Sequence, residues 1–236
     1  MKRTVLFGLT ALVASSLLGA DSTSKDDITN AVKKLGEKAN YSWRTTIVVP
    51  EDAPFKPGPT DGKTEKDGLT WVSMGLMDRK MEALVKGEKG AAANQEGVWK
   101  SLEELDKEEG RSQFLAMIVR NVKTPTKEAT ELAAFAKELT KEGDVYSGDL
   151  TEEGAKTLQM FGRRGGSGGP TVSDAKGSVK FWLKEGALTK YEFKLKGKVS
   201  WNGREFPNDR TTTVEIKDVG TTKLEVPEEG RKKISG

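Results

Sequence analysis

The chain predicts an α+β fold in which one large antiparallel sheet carries its helices gathered on one face. Three observations predict it. Strand-like runs come early and late with helical runs between them, and short turns join them. The late runs alternate cleanly: Tyr191, Phe193, Leu195, Val199 and Trp201 share one face, while Lys190, Glu192, Lys194, Lys196, Lys198 and Ser200 share the other. A strand pattern with one apolar and one charged side belongs to a sheet buried on one face and wet on the other.

Residues 1–20 read as a secretory signal peptide, with a basic start (Lys2, Arg3), an apolar stretch from Val5 to Leu18, and small Gly19 and Ala20 before Asp21. Thr10, Ser15 and Ser16 interrupt the stretch, which falls short of the roughly 20 apolar residues a bilayer-spanning helix needs. Leu17-Leu18-Gly19-Ala20 also resembles the end of a bacterial lipoprotein signal, but Asp21 stands where the lipid-bearing cysteine would be. The expectation is a free chain, 21–236, forming a single domain that is periplasmic or secreted after cleavage near Ala20.

From there the elements follow in order. Ser24 and Asp27 suggest a capping box ahead of a helix over 26–39, with Ile28, Ala31, Val32, Leu35 and Ala39 at helical spacing. Tyr41 to Val49 switches to β-branched and aromatic character and ends at Pro50, and Glu51 to Asp67 reads as a long exposed loop. Leu69 to Met77, Lys80 to Val85 and Ala91 to Trp99 form a meander. Helices are expected over 111–122 and 126–141, the second capped by Thr124 with Pro125 at its first position and burying Ala129, Leu132, Ala133, Ala136 and Leu139. A strand over 144–148 and a helix over 151–160 lead to the glycine-rich run Gly162 to Pro170, read as a connector. Val179, Phe181 and Leu183 alternate up to a turn at Glu185-Gly186, and Thr211 to Val219 and Thr222 to Val226 continue the sheet.

Composition narrows the chemistry. The net charge of +3 falls to +1 once Lys2 and Arg3 leave with the signal, so no basic excess points to nucleic acid. With no cysteine, an exported chain must hold itself together by packing. With no histidine, imidazole bases, Ser-His-Asp triads and the usual zinc sites are excluded. No catalytic residue, metal ligand set or cofactor is assigned. Gly58 to Thr64 ends like a phosphate-binding loop but has three residues between its glycines where the motif needs four, and it precedes a strand. Glu103, Glu104, Asp106, Glu108 and Glu109 are consecutive rather than opposed, and Ser101 with Glu104 fits a helix start, so they form no acid pair. Asp61, Glu65 and Asp67 lack the spacing of a calcium loop. Asn40-Tyr41-Ser42 is a glycosylation sequon that matters only in a host that uses it.

The aromatic strands hold the candidate binding residues. Tyr41, Trp43, Ile47, Tyr191, Phe193, Leu195 and Trp201 fall on alternate positions of strands that can share one sheet face. Such a face either holds a lipid or packs under the helices as ordinary core.

The order of elements, with a helix running into Ala39-Asn40-Tyr41-Ser42-Trp43 and the ending Thr212-Thr213-Val214-Glu215-Ile216-Lys217-Asp218-Val219-Gly220, resembles the LolA-like superfamily of exported bacterial proteins. The resemblance covers nearly the whole of 21–236 and is one of layout. It implies an unclosed antiparallel β-barrel with helices covering its concave face and a hydrophobic cavity between them that binds acyl chains. It also implies a non-enzymatic soluble carrier or chaperone with lipid or lipoprotein as partner, and a lid contact at Arg44. The competing reading is an envelope interaction module with a filled core.

Overall fold

The computed structural model describes residues 20–53, 56–76, 79–94, 96–160, 170–201 and 203–235. Residues 1–19 of the signal-peptide assignment fall outside these, as does most of the glycine-rich connector.

Among the described residues, twelve strands form one antiparallel sheet that does not close on itself, and six helices accompany it. The first helix, α1, spans Ala20–Gly36. It begins before Ser24, which lies buried inside the helix and does not cap it. Ile28, Ala31, Val32 and Leu35 form its buried stripe, and each fully buried large aliphatic stabilises the fold by about 1.5–3 kcal/mol. β1 (Asn40–Val48) follows and takes the centre of the sheet.

The long loop expected over 51–67 is in part a strand. β2 (Thr60–Glu65) pairs with β1 on one side and with β3 (Thr70–Leu76) on the other. β4 (Arg79–Lys86), β5 (Lys89–Ala93) and β6 (Trp99–Ser101) complete this half; the single strand expected over 91–99 is two, joined by a turn in which Asn94 Oδ1 accepts from the Val98 amide at 2.9 Å.

The middle of the chain supplies the lid. α2 (Leu102–Asp106) starts on the expected capping box: Ser101 Oγ accepts from the Glu104 amide at 3.2 Å and Glu104 Oε2 from the Ser101 amide at 2.7 Å. α3 (Arg111–Arg120) follows, then α4 (Pro125–Phe135), with Thr124 as its cap and Pro125 at the first position. α4 stops six residues short of Lys141. Ala136 turns extended and bridges to Leu150, and Lys137 donates its amide to the Asp149 carbonyl at 2.8 Å. Ala136 and Leu139 are buried as expected, but from extended chain. The chain then makes β7 (Thr140–Glu142) and β8 (Val145–Asp149), and α5 (Glu152–Gln159) is capped by Thr151.

The other half of the sheet comes from β9 (Thr171–Lys184), β10 (Ala187–Trp201), β11 (Arg204–Pro207) and β12 (Arg210–Lys217). The sheet order is β6-β5-β4-β3-β2-β1-β12-β10-β9-β8-β7, with β11 pairing β10. Chain-distant β1 and β12 therefore meet at its middle, through registers such as Trp43 opposite Ile216. The segment 222–226 is not a strand.

After it, α6 (Glu228–Ser235) packs on β4, β5 and β6, on the opposite face from α3. The β4 alternation shows why: Ala83 joins the main core under the lid, whereas Leu84 joins a smaller cluster with Leu69, Ala91, Trp99, Leu224 and Ile234. One edge of the sheet is thus buried on both sides, and not every helix lies on one face.

Candidate functional site

The concave face is built by inward-pointing alternate residues of the central strands. In β1 these are Tyr41, Trp43, Thr45 and Ile47; in β12 they are Arg210, Thr212, Val214 and Ile216. The antiparallel registers line them up in rows across the sheet. One row runs Thr45, Val214, Tyr191, Phe181; the next runs Ile47, Thr212, Phe193, Val179. The Phe181 and Tyr191 rings lie tilted with centroids 6.3 Å apart, and Tyr41 and Trp43 at 6.0 Å.

Six of the seven candidate residues therefore lie on one face. Tyr41 and Trp43 sit on β1, Tyr191, Phe193 and Leu195 sit on β10, and β12 separates the two groups. These five are buried and Ile47 is half-buried. Trp201 ends β10 opposite Arg204, and its side chain lies outside what is described. Arg44 does not meet the lid. It points outward from β1, exposed, and its Nε lies 3.2 Å from Asp61 Oδ1 of β2. The reason is parity: residue 44 alternates with the inward 43 and 45, so its side chain must leave by the convex side.

Helices pack on this face from both flanks. α1 lies close on β9 and β10, α5 close on the same strands, and α3 on β4 and β5. α4 reaches the centre of the sheet through side chains, Glu128 meeting Tyr191 of β10 and the Thr126 hydroxyl lying beside that of Tyr41 on β1. Several apolar side chains around the main core are half-buried: Met74 of β3, Ile216 of β12, Leu115 of α3, Val122 between α3 and α4, and Leu158 of α5.

Sequence patterning passed over the polar groups at this interior. Glu128 belongs to the same α4 face as Ala129 and Leu132, which are fully buried. Its Oε2 accepts a hydrogen bond from the Tyr191 hydroxyl at 2.7 Å, which ties α4 to the sheet. Burial pushes the Glu128 carboxyl above its ordinary value, outweighing the Tyr191 bond, and burial with the adjacent carboxylate pushes the Tyr191 hydroxyl well up. Arg210, buried at the start of β12, donates to the Leu158 carbonyl at 2.6 Å and to Asn208 Oδ1 at 3.3 Å. Its charge is felt at Glu128. Tyr41 and Thr126 hydroxyls lie 3.3 Å apart. The one available signal was position: Glu128 and Arg210 each occupy an inward place in an otherwise apolar or uncharged pattern.

A carboxyl raised by burial keeps its proton in the folded protein at pH values where the unfolded chain releases it. Its contribution to stability is present below the ordinary glutamate value and is lost as pH rises through the raised one. Glu128→Gln removes that titration, so the variant's melting temperature should gain on the parent's as pH rises from the ordinary glutamate range toward neutrality. A difference that stays constant across that range would show that the carboxyl is not raised.

A second concavity, of about 330 Å³, lies between α1 and the β7–β8 and β9–β10 turns, lined by Asp27, Asn30, Lys34, Lys141, Asp144 and Tyr146 among others. It is open, and Asp27 is joined there to both Tyr146 and Lys141. The Tyr146 hydroxyl donates to Asp27 Oδ2 at 2.6 Å and, with Lys141, holds that carboxyl below its ordinary value. Asp61 and Asp67 likewise pair with Arg44 and Lys86, and no cluster of acidic residues able to hold a metal occurs among the described residues.

Known proteins resemble the chain in fold alone. No family model and no curated protein matches it. Among solved structures, the lipoprotein LppX of Mycobacterium tuberculosis superposes with a TM-score of 0.51 at 10% identity, over 88% of this chain and 100% of its own. The fold is similar to that of LppX. Looser likenesses are LprF of Mycobacterium bovis (TM-score 0.48, 10% identity, 90% of this chain and 100% of that one) and a LolA superfamily protein of Nitrosomonas europaea (0.36, 11%, 86% and 94%). At such identities the likeness is one of fold, and no residue role carries over.

Proposed function

We propose that the chain is an exported carrier or chaperone that holds the acyl chains of a lipid or lipoprotein between its lid helices and the concave face of its sheet. The observation that carries this reading is a set of apolar side chains left half-buried between helices and sheet. Ile47, Met74 and Ile216 on the sheet and Leu115 and Val122 on the helical side stay half-buried beside the buried Tyr41, Trp43 and Val214. Tyr41, Trp43, Ile47, Tyr191, Phe193, Leu195 and Trp201 are proposed as the sheet wall of that space, with Leu115 and Val122 on the lid side. Apolar walls with a few placed polar groups are the usual make-up of a site that takes an apolar ligand. Export rests on the composition of residues 1–20, and no helix among the described residues is long and apolar enough to cross a membrane.

One observation favours the competing reading of an interaction module with a filled core: Tyr41, Trp43, Tyr191 and Phe193 are each at most 5% exposed. The two readings part in one experiment. Delipidated protein mixed with an envelope lipid extract, repurified and examined by native mass spectrometry, should retain acyl-bearing species. Empty spectra in repeated trials would leave the filled core as the better account.

A further inference from the structure

The outer face of β9 and β10 carries charge almost entirely of one sign. Alternation turns Val179, Phe181, Tyr191, Phe193 and Leu195 inward, so the residues between them leave by the convex side. Lys176, Lys180 and Lys184 of β9 stand there beside Lys190, Lys194 and Lys196 of β10, all exposed except the half-buried Lys190. One carboxylate, Glu192, lies among these six lysines, while the whole chain has a net charge of only +3. This face therefore holds more positive charge than the entire molecule.

Little of that charge is neutralised from within. Glu192 accepts from the Thr213 hydroxyl at 3.3 Å and lies 3.8 Å from Lys194. At the borders, Glu215 of β12 pairs with Lys217, and Asp149 of β8 lies opposite Ser178. Lys198, further along β10, is set between Asp174 and Glu205. Lys176, Lys180, Lys184 and Lys196 make no ion pair among the described residues. Lys176 and Lys196 even stand directly opposite each other in the register, a like-charge pair that costs the sheet stability and that an outside anion would relieve.

The lysines also indicate the kind of anion. Each is a flexible point charge without the fixed fork by which arginine grips one particular phosphate or carboxylate. From Lys176 to Lys184 they extend along about 25 Å of strand, so they suit a broad surface of mobile charges better than a single small ligand. Trp182 stands among them, half-buried, with the Lys190 ammonium 4.6 Å from its ring centroid. Tryptophan beside lysine suits the boundary between lipid headgroups and water. A single-stranded nucleic acid calls for several stacking rings, and on this face Trp182 is the one aromatic among the described residues.

We propose that the convex face of β9 and β10 docks the protein on an anionic lipid bilayer, its lysines meeting headgroup phosphates. The face lies across the sheet from the concave side, so this inference does not rest on the carrier reading and can fail without it.

Co-sedimentation of the full chain with vesicles of phosphatidylcholine, alone or with about 30% phosphatidylglycerol, tests the docking. The parent should bind the anionic vesicles about tenfold or more tightly than the neutral ones, and added salt should erase the difference. The triple variant Lys176→Glu, Lys180→Glu, Lys196→Glu should lose that preference. An equal charge change at Lys38, Lys66 and Lys127, exposed elsewhere, should keep most of it. Residues 1–20 are common to all of these chains, so the contrast between the two triple variants reports on the face. Lys196→Glu alone turns the like-charge pair with Lys176 into an attractive one, so it should melt higher than the parent while binding anionic vesicles about fivefold more weakly. Equal binding to both kinds of vesicle, equal losses in the two triple variants, or tighter binding of single-stranded DNA than of anionic vesicles would overturn the proposal.

Discussion

Gly62→Ala should destabilise the fold by about 3 kcal/mol, although it adds a single methyl group to a strand. Gly62 lies opposite Trp43 in the β1–β2 register, and the indole lies across it. A Cβ built on Gly62 would sit 2.1 Å from Trp43 Cζ2 and 2.2 Å from Cε2, distances at which one group must leave. The ring has nowhere easy to go. Trp43 is buried and meets Ile216 in the register on its other side. Overpacking in such a place costs about 1–3 kcal/mol, and a rigid indole puts this site at the upper end. Trp43→Ala should cost about 3–5 kcal/mol by opening a cavity, and Gly62→Ala in a Trp43→Leu background should cost much less than alone. Urea unfolding of the single and double variants measures all of these. Additive losses would show that the two residues do not share the space.

The same pair explains what the sequence could and could not reveal. β1 was legible because Tyr41 to Val49 is aromatic and β-branched, and its inward parity named Tyr41, Trp43 and Ile47 from the alternation alone. β2 was not. Thr60-Asp61-Gly62-Lys63-Thr64-Glu65 has the composition of a loop, and it is a strand because β1 and β3 pair with it on both sides and because Trp43 admits only glycine opposite it. Tertiary context overrode local propensity. The end of α4 was hidden for another reason. Ala136 and Leu139 continue the apolar spacing of Leu132, with no glycine or proline to break it, and the stop comes from the bridge of Ala136 to Leu150. At the candidate site, alternation identified the apolar wall. It could not identify Glu128 or Arg210, because the partners that make their burial tolerable, Tyr191, Leu158 and Asn208, are remote in the chain or carry no pattern of their own.

Removing residues 227–236 should cost at least about 3 kcal/mol and expose a dye-binding apolar patch, with little effect on the concave face. α6 is the cover of the convex side at the β4–β6 edge. Ile234 is buried there, and Gly230 comes so near that a Cβ would lie 2.7 Å from Leu84 Cδ1 and 3.0 Å from Trp99 Cδ2. Without the helix, Leu84 and Trp99 lose the element packed on them, next to the edge strand β6, whose open side invites pairing with another chain. The ion pair of Lys233 with Glu104, at 2.6 Å to Oε1, is half exposed and screened by solvent, so it contributes little. Lys233→Ala should therefore be mild and Ile234→Ala should cost about 2–4 kcal/mol, a ranking that separates packing from charge as the reason α6 stays docked. Thermal melting of the three variants, with dye fluorescence and light scattering, reads the outcome. A truncated chain that melts with the parent would mean that α6 covers nothing the fold needs. If instead the truncated chain melts lower but still holds an alkyl ligand, the two faces of the sheet are separable: the convex side keeps the edge closed, and the concave side is left for the ligand.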